Sequence, residues 1–412
     1  MRDDPFPCPD IALRRAAGHD PAASLAKNAR LVPPLAATGV PLGGLGTGSI
    51  TRASDGRFSR WTLKAGAVAA FAMPANGFLL RVRREGAAPQ ARALQPAPGT
   101  AELSAFGYEP RAPDWAGLFP VAWHRHAPLA GVAAECRAFS PVIPGEIDAA
   151  TLPLAVFDWR LTNAGPAPAE ASLAFTFANL NGWFGEAGAA GEARPPRVAA
   201  GCVNRALDVG GGTGVLLDRR AVSDPPPEDT GEWAIAIAGQ GAAFTRTICF
   251  DGTGTGAELW QPLLDTGDLP DLGPGWVSES GFRETAPPHP AGAVCARLAL
   301  GPGESRDLRA TLVWDRPTLR FGQGRRWARA YTARWGRSGR NAAALTAHAH
   351  AQAAGWAARL ADWHGWMQEA LGPAPHQAGM AINEAYFLID GLTVATAPAP
   401  GLDAVSAPGP AP

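Results

Sequence analysis

From Leu31 to about Trp314 the chain repeats one pattern: a short apolar or alternating run, then a cluster of glycine, proline or asparagine. Gly77 to Arg83 alternates as GFLLRVR, Val132 to Phe139 closes on Ser140-Pro141, and Leu152 to Thr162 stops at Asn163-Ala164-Gly165. A period of two sends successive side chains to opposite faces of a strand, which helices cannot use. Ala171 to Ala178, Trp233 to Ala238, Ala243 to Phe250, Val294 to Leu300 and Arg309 to Trp314 continue the style. With 49 glycines and 40 prolines in 412 residues, the composition suits many turns better than many long helices. The pattern predicts a mainly β protein, a large antiparallel β-sandwich followed by a few α-helices. The stretch is long for one sandwich, so inserted loops are expected. Gly86 to Thr100 and Gly185 to Thr230 read as those loops, the second with one hairpin strand near Val215 to Leu217.

After Pro317 the pattern changes. Asn341 to Leu371 reads as a helix, because Trp356, Leu360, Trp363, Met367 and Leu371 recur at helical spacing, and Gly372-Pro373 ends it. A second helical stretch runs from about Gln377 to Asp390. The organisation predicted is an N-terminal segment (1–30), a sandwich (31–316), a linker (317–341), helices (342–395) and an Ala/Pro-rich tail (396–412).

Composition narrows the partners. The formal charge of −1 excludes bulk electrostatic attraction to nucleic acid or anionic membranes. No run is long and apolar enough for a transmembrane segment, and Met1 to Pro7 lacks a signal peptide's apolar core. The five cysteines, Cys8, Cys136, Cys202, Cys249 and Cys295, are scattered and form no metal-ligand pair. A cytoplasmic protein needing no metal or other cofactor is the expectation.

Gly39 to Ile50 (GVPLGGLGTGSI) is the most unusual stretch. It lacks the lysine of a phosphate loop and the spacing of a dinucleotide fingerprint. A tight crossing of backbone on backbone is the first reading, and a pocket-lining loop the second. His124 and His126 alternate on one strand, but no third ligand is near in sequence, and His348 and His350 diverge on a helix. No G-x-S-x-G elbow occurs. Of the fourteen tryptophans, most should be core, with a few able to stack on sugar rings. Glu384, between Ile382 and Tyr386, sits in a helix so apolar that little solvent-facing surface is expected. Taken alone, a carboxylate on the polar strip or a paired buried one is the first reading; an apolar surrounding, the second, would raise its carboxyl pKa and suit it to acid/base or nucleophilic work.

Several segments taken together resemble one family. Gly39 to Trp61, Phe139 to Pro144 with Leu152 to Phe157, Asn181-Gly182-Trp183, Glu258-Leu259-Trp260, Phe321 to Trp327 through Trp335-Gly336, and Asn383 to Gly391 are similar, in order, to the non-lysosomal glucosylceramidase/β-glucosidase family, glycoside hydrolase family 116. The resemblance covers about residues 31 to 394. It implies a β-sandwich ahead of an (α/α)6 barrel that hydrolyses β-glucosides, glucosylceramide included, with retention. Retention needs two carboxyl groups roughly 5 Å apart, a nucleophile and a general acid/base.

By that resemblance Glu384 matches the nucleophile, Asp390 is a substrate-binding candidate, and the acid/base aspartate lies well beyond the residues present here. Two positions depart from the family: Ala385 stands where it has leucine, and Gly391-Leu392-Thr393 where it has Gly-Gly-Thr. The tail has no family counterpart and reads as a truncated or frameshifted end. The chain is therefore expected to be the inactive N-terminal portion of such an enzyme, with uncovered apolar stripes on its helices. A stand-alone carbohydrate-binding or scaffold module is the alternative from another class. Half of a split glycosidase, partnered by a separately encoded barrel, is the third.

Overall fold

The computed structural model describes residues 6–19, 39–66, 68–181, 201–219, 231–273, 289–321, 325–371, 375–389 and 394–397. Its main layer is a nine-stranded antiparallel sheet. In space the order is Leu13–Arg15, Asp114–Leu118, Val121–Leu129, Val132–Phe139, Leu154–Asn163, Ser305–Asp315, Glu232–Ala238, Gly212–Arg219 and Cys202–Val209. The facing layer has five strands, ordered Ala243–Asp251, Pro290–Leu300, Ala169–Ala178, Gly77–Arg83 and Gln90–Ala93. A four-stranded sheet, Gly39–Gly44, Gly48–Ala53, Phe58–Trp61 and Ala69–Ala70, adds to this core. The helices are α1 (Ile147–Ala150), α2 (Ala257–Thr266), α3 (Thr332–Trp335), α4 (Ala342–Ala370) and α5 (Pro375–Glu384).

The period of two explains the sandwich. From strand Leu154–Asn163, Phe157, Trp159 and Leu161 enter one apolar core with Phe78, Phe175 and Phe177 of the five-stranded sheet. Phe78 stacks on Phe175 with centroids 4.4 Å apart, and Phe157 meets Phe78 edge-on at 5.3 Å. Leu154 and Val156 point the other way, into a second core that α4 closes with Leu345, Ala349, Ala353, Trp356 and Leu360. Strand Leu154–Asn163 is thus apolar on both faces where α4 covers it. Beyond, its outer face carries Asp158 and Arg160, which pair with Arg137, Arg309 and Asp307 on the flanking strands.

What seats α4 is a pair of carboxylates on the sheet. Glu232 and Asp315 are directly opposite on adjacent strands. Like charges in that register normally repel. Here both are spent on the helix N-terminus: Asn341 N–H donates to Asp315 at 2.6 Å and Ala342 N–H to Glu232 at 3.1 Å. Asn341 itself provides no side-chain cap, so these carboxylates stand in for one. Tyr331 Oη–H donates to the other Asp315 oxygen at 2.6 Å, and Arg205 reaches Glu232 at 3.3 Å. Burial pushes both carboxyl pKa values up.

Several sequence expectations need correction. Within Gly185 to Thr230 the structure has a full hairpin, Cys202–Val209 against Gly212–Arg219, not one short strand. Gly86 to Thr100 contributes the edge strand Gln90–Ala93. The stretch 317–341 holds a hairpin, Thr318–Phe321 with Arg325–Ala328, and α3. The apolar stripe of α4 is not uncovered, since the nine-stranded sheet takes it. Exposed apolar side chains cluster later, at Trp366, Met380, Phe387 and Leu388. Trp183 and the tail beyond residue 397 lie outside the described residues.

Removing the Asp315 carboxylate leaves the Asn341 amide and the Tyr331 hydroxyl without their acceptor. Asp315→Ala should cost ~2 kcal/mol and lower the melting temperature, with Asp315→Asn costing less. Thermal unfolding followed by circular dichroism reads the difference.

Candidate functional site

The residue pair singled out for chemistry, Asn383-Glu384, lies at the end of α5. That helix buries Ala378 and Ile382, and Gly379 passes so close to the backbone of Ile11 that a Cβ there would meet its carbonyl oxygen at 2.4 Å. Asn383 Oδ1 accepts from the Phe119 N–H at 2.8 Å. His364, on α4, donates through Nε2–H to the Phe119 carbonyl at 2.9 Å, a partner that can only accept. Both main-chain groups of Phe119, at the turn between strands Asp114–Leu118 and Val121–Leu129, are therefore held by helical side chains.

Glu384 is exposed, on solvent-facing surface and not in apolar enclosure. The helix turns its apolar residues both ways: Ile382 inward, Met380 outward at 66% exposure. Among the described residues Glu384 makes no hydrogen bond or ion pair. Asp390 lies outside the described residues.

The glycine-rich stretch is a crossing. Strands Gly39–Gly44 and Gly48–Ala53 pair as a hairpin. Its amides are already used: Gly43 N–H donates to Ser140 Oγ at 2.7 Å, Gly44 N–H to Thr47 Oγ1 at 2.9 Å, and Leu45 N–H to Ala150 O at 2.7 Å. None of these three donors is left for a phosphate. A Cβ on Gly44 would sit 2.6 Å from Leu152 O, and Gly46, at φ +73°, presses on Ala395. The Gly46 carbonyl accepts from the buried Arg329 guanidinium, which also reaches Leu63 O at 2.9 Å. Gly44→Val should lower stability by ~2–4 kcal/mol, read as a loss of soluble, cooperatively melting protein.

His124 and His126 are fully buried beneath this region. His124 donates through Nε2–H to Ala53 O at 2.9 Å, and His126 Nδ1–H to Glu109 at 2.8 Å. Arg52 donates to Cys136 Sγ at 3.3 Å and to His126 Nε2 at 3.5 Å, lying over the rings of Phe78 and Trp159. A cation in contact with His126 opposes a second one, so this pair does not suit a metal. Among the described residues no group of three His, Cys, Asp or Glu could hold a metal ion. His348 and His350 diverge: one enters an aromatic cleft between Trp335 and Trp356, the other faces Thr311 of the sheet at 3.3 Å. Sequence reading missed the Arg52–His126–Glu109 chain and the two clamps on Phe119. Both join residues far apart in sequence, and no motif or spacing marks either.

Burial lowers the pKa of His124, His126, His289, His350 and His364, with His350 at about 4, where Arg309 adds to the effect and Asp158 opposes it. Their folded pKa values lie below the unfolded value of about 6.5. Stability is therefore full above that pH and falls as the unfolded chain takes up protons that the folded chain refuses. At about pH 5 His350 alone accounts for ~2 kcal/mol. Melting temperature should drop between about pH 7.5 and 5, and His350→Gln should flatten the slope. A flat profile in the parent protein would contradict neutral burial.

Residues 39–356 match the family model described as "beta-glucosidase 2, glycosyl-hydrolase family 116 N-term". Among solved structures, a polysaccharide lyase is 12% identical with a TM-score of 0.29, covering 63% of this chain and 31% of its own. A protein assigned as a kojibiose phosphorylase, from the human microbiome, is 7% identical with a TM-score of 0.28, covering 66% and 29%. One assigned as an aldose 1-epimerase, from Escherichia coli K12, is 11% identical with a TM-score of 0.28, covering 67% and 98%. The chain thus spans less than a third of the first two. The match over residues 39–356 settles membership: this chain belongs to glycosyl-hydrolase family 116, and those residues are the family's N-terminal domain.

Proposed function

We propose that this chain is the sandwich portion of a retaining β-glucosidase of the glucosylceramidase kind, a rigid base on which a catalytic barrel is built. In this reading Glu384 is the nucleophile, Asp390 contacts the sugar, and the general acid is an aspartate of barrel sequence outside these residues. The substrate is a β-glucoside, glucosylceramide-like at its largest. No helix among the described residues is long and apolar enough to cross a membrane. A cytoplasmic setting, in which the cysteines stay as thiols without disulfides, is part of the same proposal.

The observation that carries the reading is the double clamp on Phe119. A retaining mechanism needs its two carboxyls roughly 5 Å apart, and an error of about 1 Å can cost ~100-fold in rate. Asn383, the residue before Glu384, is tied to the turn of a nine-stranded sheet, and His364 of α4 holds the same turn. Rigid anchoring one residue from a nucleophile supplies that tolerance. The exposure of Glu384 beside Met380, Phe387 and Leu388 supports a further helical layer on this side.

The test is turnover of an aryl β-glucoside. The purified chain alone should show none above background, because general acid catalysis supplies roughly 100-fold or more. Adding a family barrel polypeptide should restore turnover, and Glu384→Gln should abolish what is restored. Turnover by the chain alone that Glu384→Gln removes would contradict its inactivity. Restored turnover indifferent to that substitution would remove Glu384 from the mechanism.

A further inference from the structure

A cleft of about 550 Å³ opens where α1, α3 and the first half of α4 meet, a size in the range of small-molecule sites. Trp356 is its buried floor, and Trp335 and His348 are half-buried in its wall. The His348 ring stands edge-on to both indoles, at 5.2 Å from Trp335 and 5.5 Å from Trp356. The rim is polar: Arg359 pairs with Glu146 at 2.6 Å, Arg334 with Asp148 at 3.4 Å, and Gln352 is exposed beside them.

The charges decide what fits. Two carboxylates and two guanidiniums cancel. An anion entering would face Glu146 and Asp148, and a cation would face Arg334 and Arg359. An apolar ligand would leave these groups without partners as it displaced their water, at the cost of their desolvation. Burial and Arg334 both lower the His348 pKa, so its ring adds no charge at neutral pH. What satisfies an indole wall and a rim of planar donors and acceptors together is a neutral ring with one C–H face and hydroxyls at its edge.

We infer that this cleft binds a neutral saccharide unit, its apolar face against Trp335 and its hydroxyls on the Glu146–Arg359 pair and Gln352. Preformed ion pairs hold their planar groups in place before the ligand arrives, which lowers the ordering cost of binding. The site is separate from Glu384. His348 and His364 are sixteen residues apart on α4, about 24 Å along its axis. The inference therefore does not rest on the catalytic reading; it describes a non-catalytic site that holds a glycan on the sandwich.

Calorimetry and saturation-transfer NMR with methyl β-glucoside and cellobiose, on the full chain, test it. Binding at millimolar sugar should be seen and should change little with salt. Trp335→Ala should raise Kd by roughly tenfold or more. Since Trp335 packs partly against the core, Gln352→Ala, at an exposed helix position, is the second variant, expected to weaken binding with melting unchanged. Absence of heat and saturation transfer with both sugars overturns the proposal. So does affinity unchanged in both variants, or affinity lost in Glu384→Gln but kept in Trp335→Ala.

Discussion

Two carboxylates that the sheet register sets face to face, Glu232 and Asp315, govern what lies above the sandwich. Left alone they would repel, and burial already disfavours their charge. The N-terminus of α4 resolves the conflict, because it offers unsatisfied amides and the positive end of a helix dipole. The helix begins where the carboxylates are and then runs across the outer face of the nine-stranded sheet. Leu345, Trp356 and Leu360 fall onto that face, each worth ~1.5–3 kcal/mol of burial. The same placement sets His348 over the cleft and His364 under Phe119, so both candidate sites inherit their geometry from one helix end.

A second constraint sits deeper. Arg52 is a cation in the middle of the sandwich, and isolated charge there is costly. Its charge is spread over two aromatic faces, a cysteine sulfur and, through neutral His126, the Glu109 carboxylate. Burial pushes the Cys136 thiol up to about 12, so it faces Arg52 as a neutral acceptor. The chain links the four-stranded sheet, which carries Arg52, to the nine-stranded sheet, which carries His126 and Cys136. The dense glycines just before Arg52 serve the same junction, letting backbone pass between Ser140, Ala150 and Leu152 where side chains would not fit.

The strands legible in the sequence were those with period two and a turn at the end: Gly77–Arg83 and Val132–Phe139 run as read, and Leu154–Asn163 is displaced by only a residue or two. The helix 342–370 was legible from its apolar spacing, and the family resemblance from motifs spread along the chain. The short edge strand Gln90–Ala93 escaped because half of it is solvated and its alanines carry no pattern. Of the hairpin at 202–219 only the strand around Val215 to Leu217 was legible, because glycine and arginine interrupt the alternation elsewhere. The site was harder. Asn383 stands in a motif that resembles the family's, but its partner is the main chain of Phe119, which no sequence pattern marks. Glu384 stood open between a polar strip and apolar enclosure because the segment is apolar; a ten-residue helix on a sheet has only one face covered, and Glu384 is on the exposed side.

Hydrogen exchange resolved by segment tests most directly whether α4 is a layer of the sandwich. If the carboxylate pair seats it, amides from Leu345 to Leu360 should exchange with the same opening free energy as strand Ser305–Asp315, and Asp315→Ala should lower the protection of both together. Rapid exchange along α4 while that strand stays protected would contradict the account.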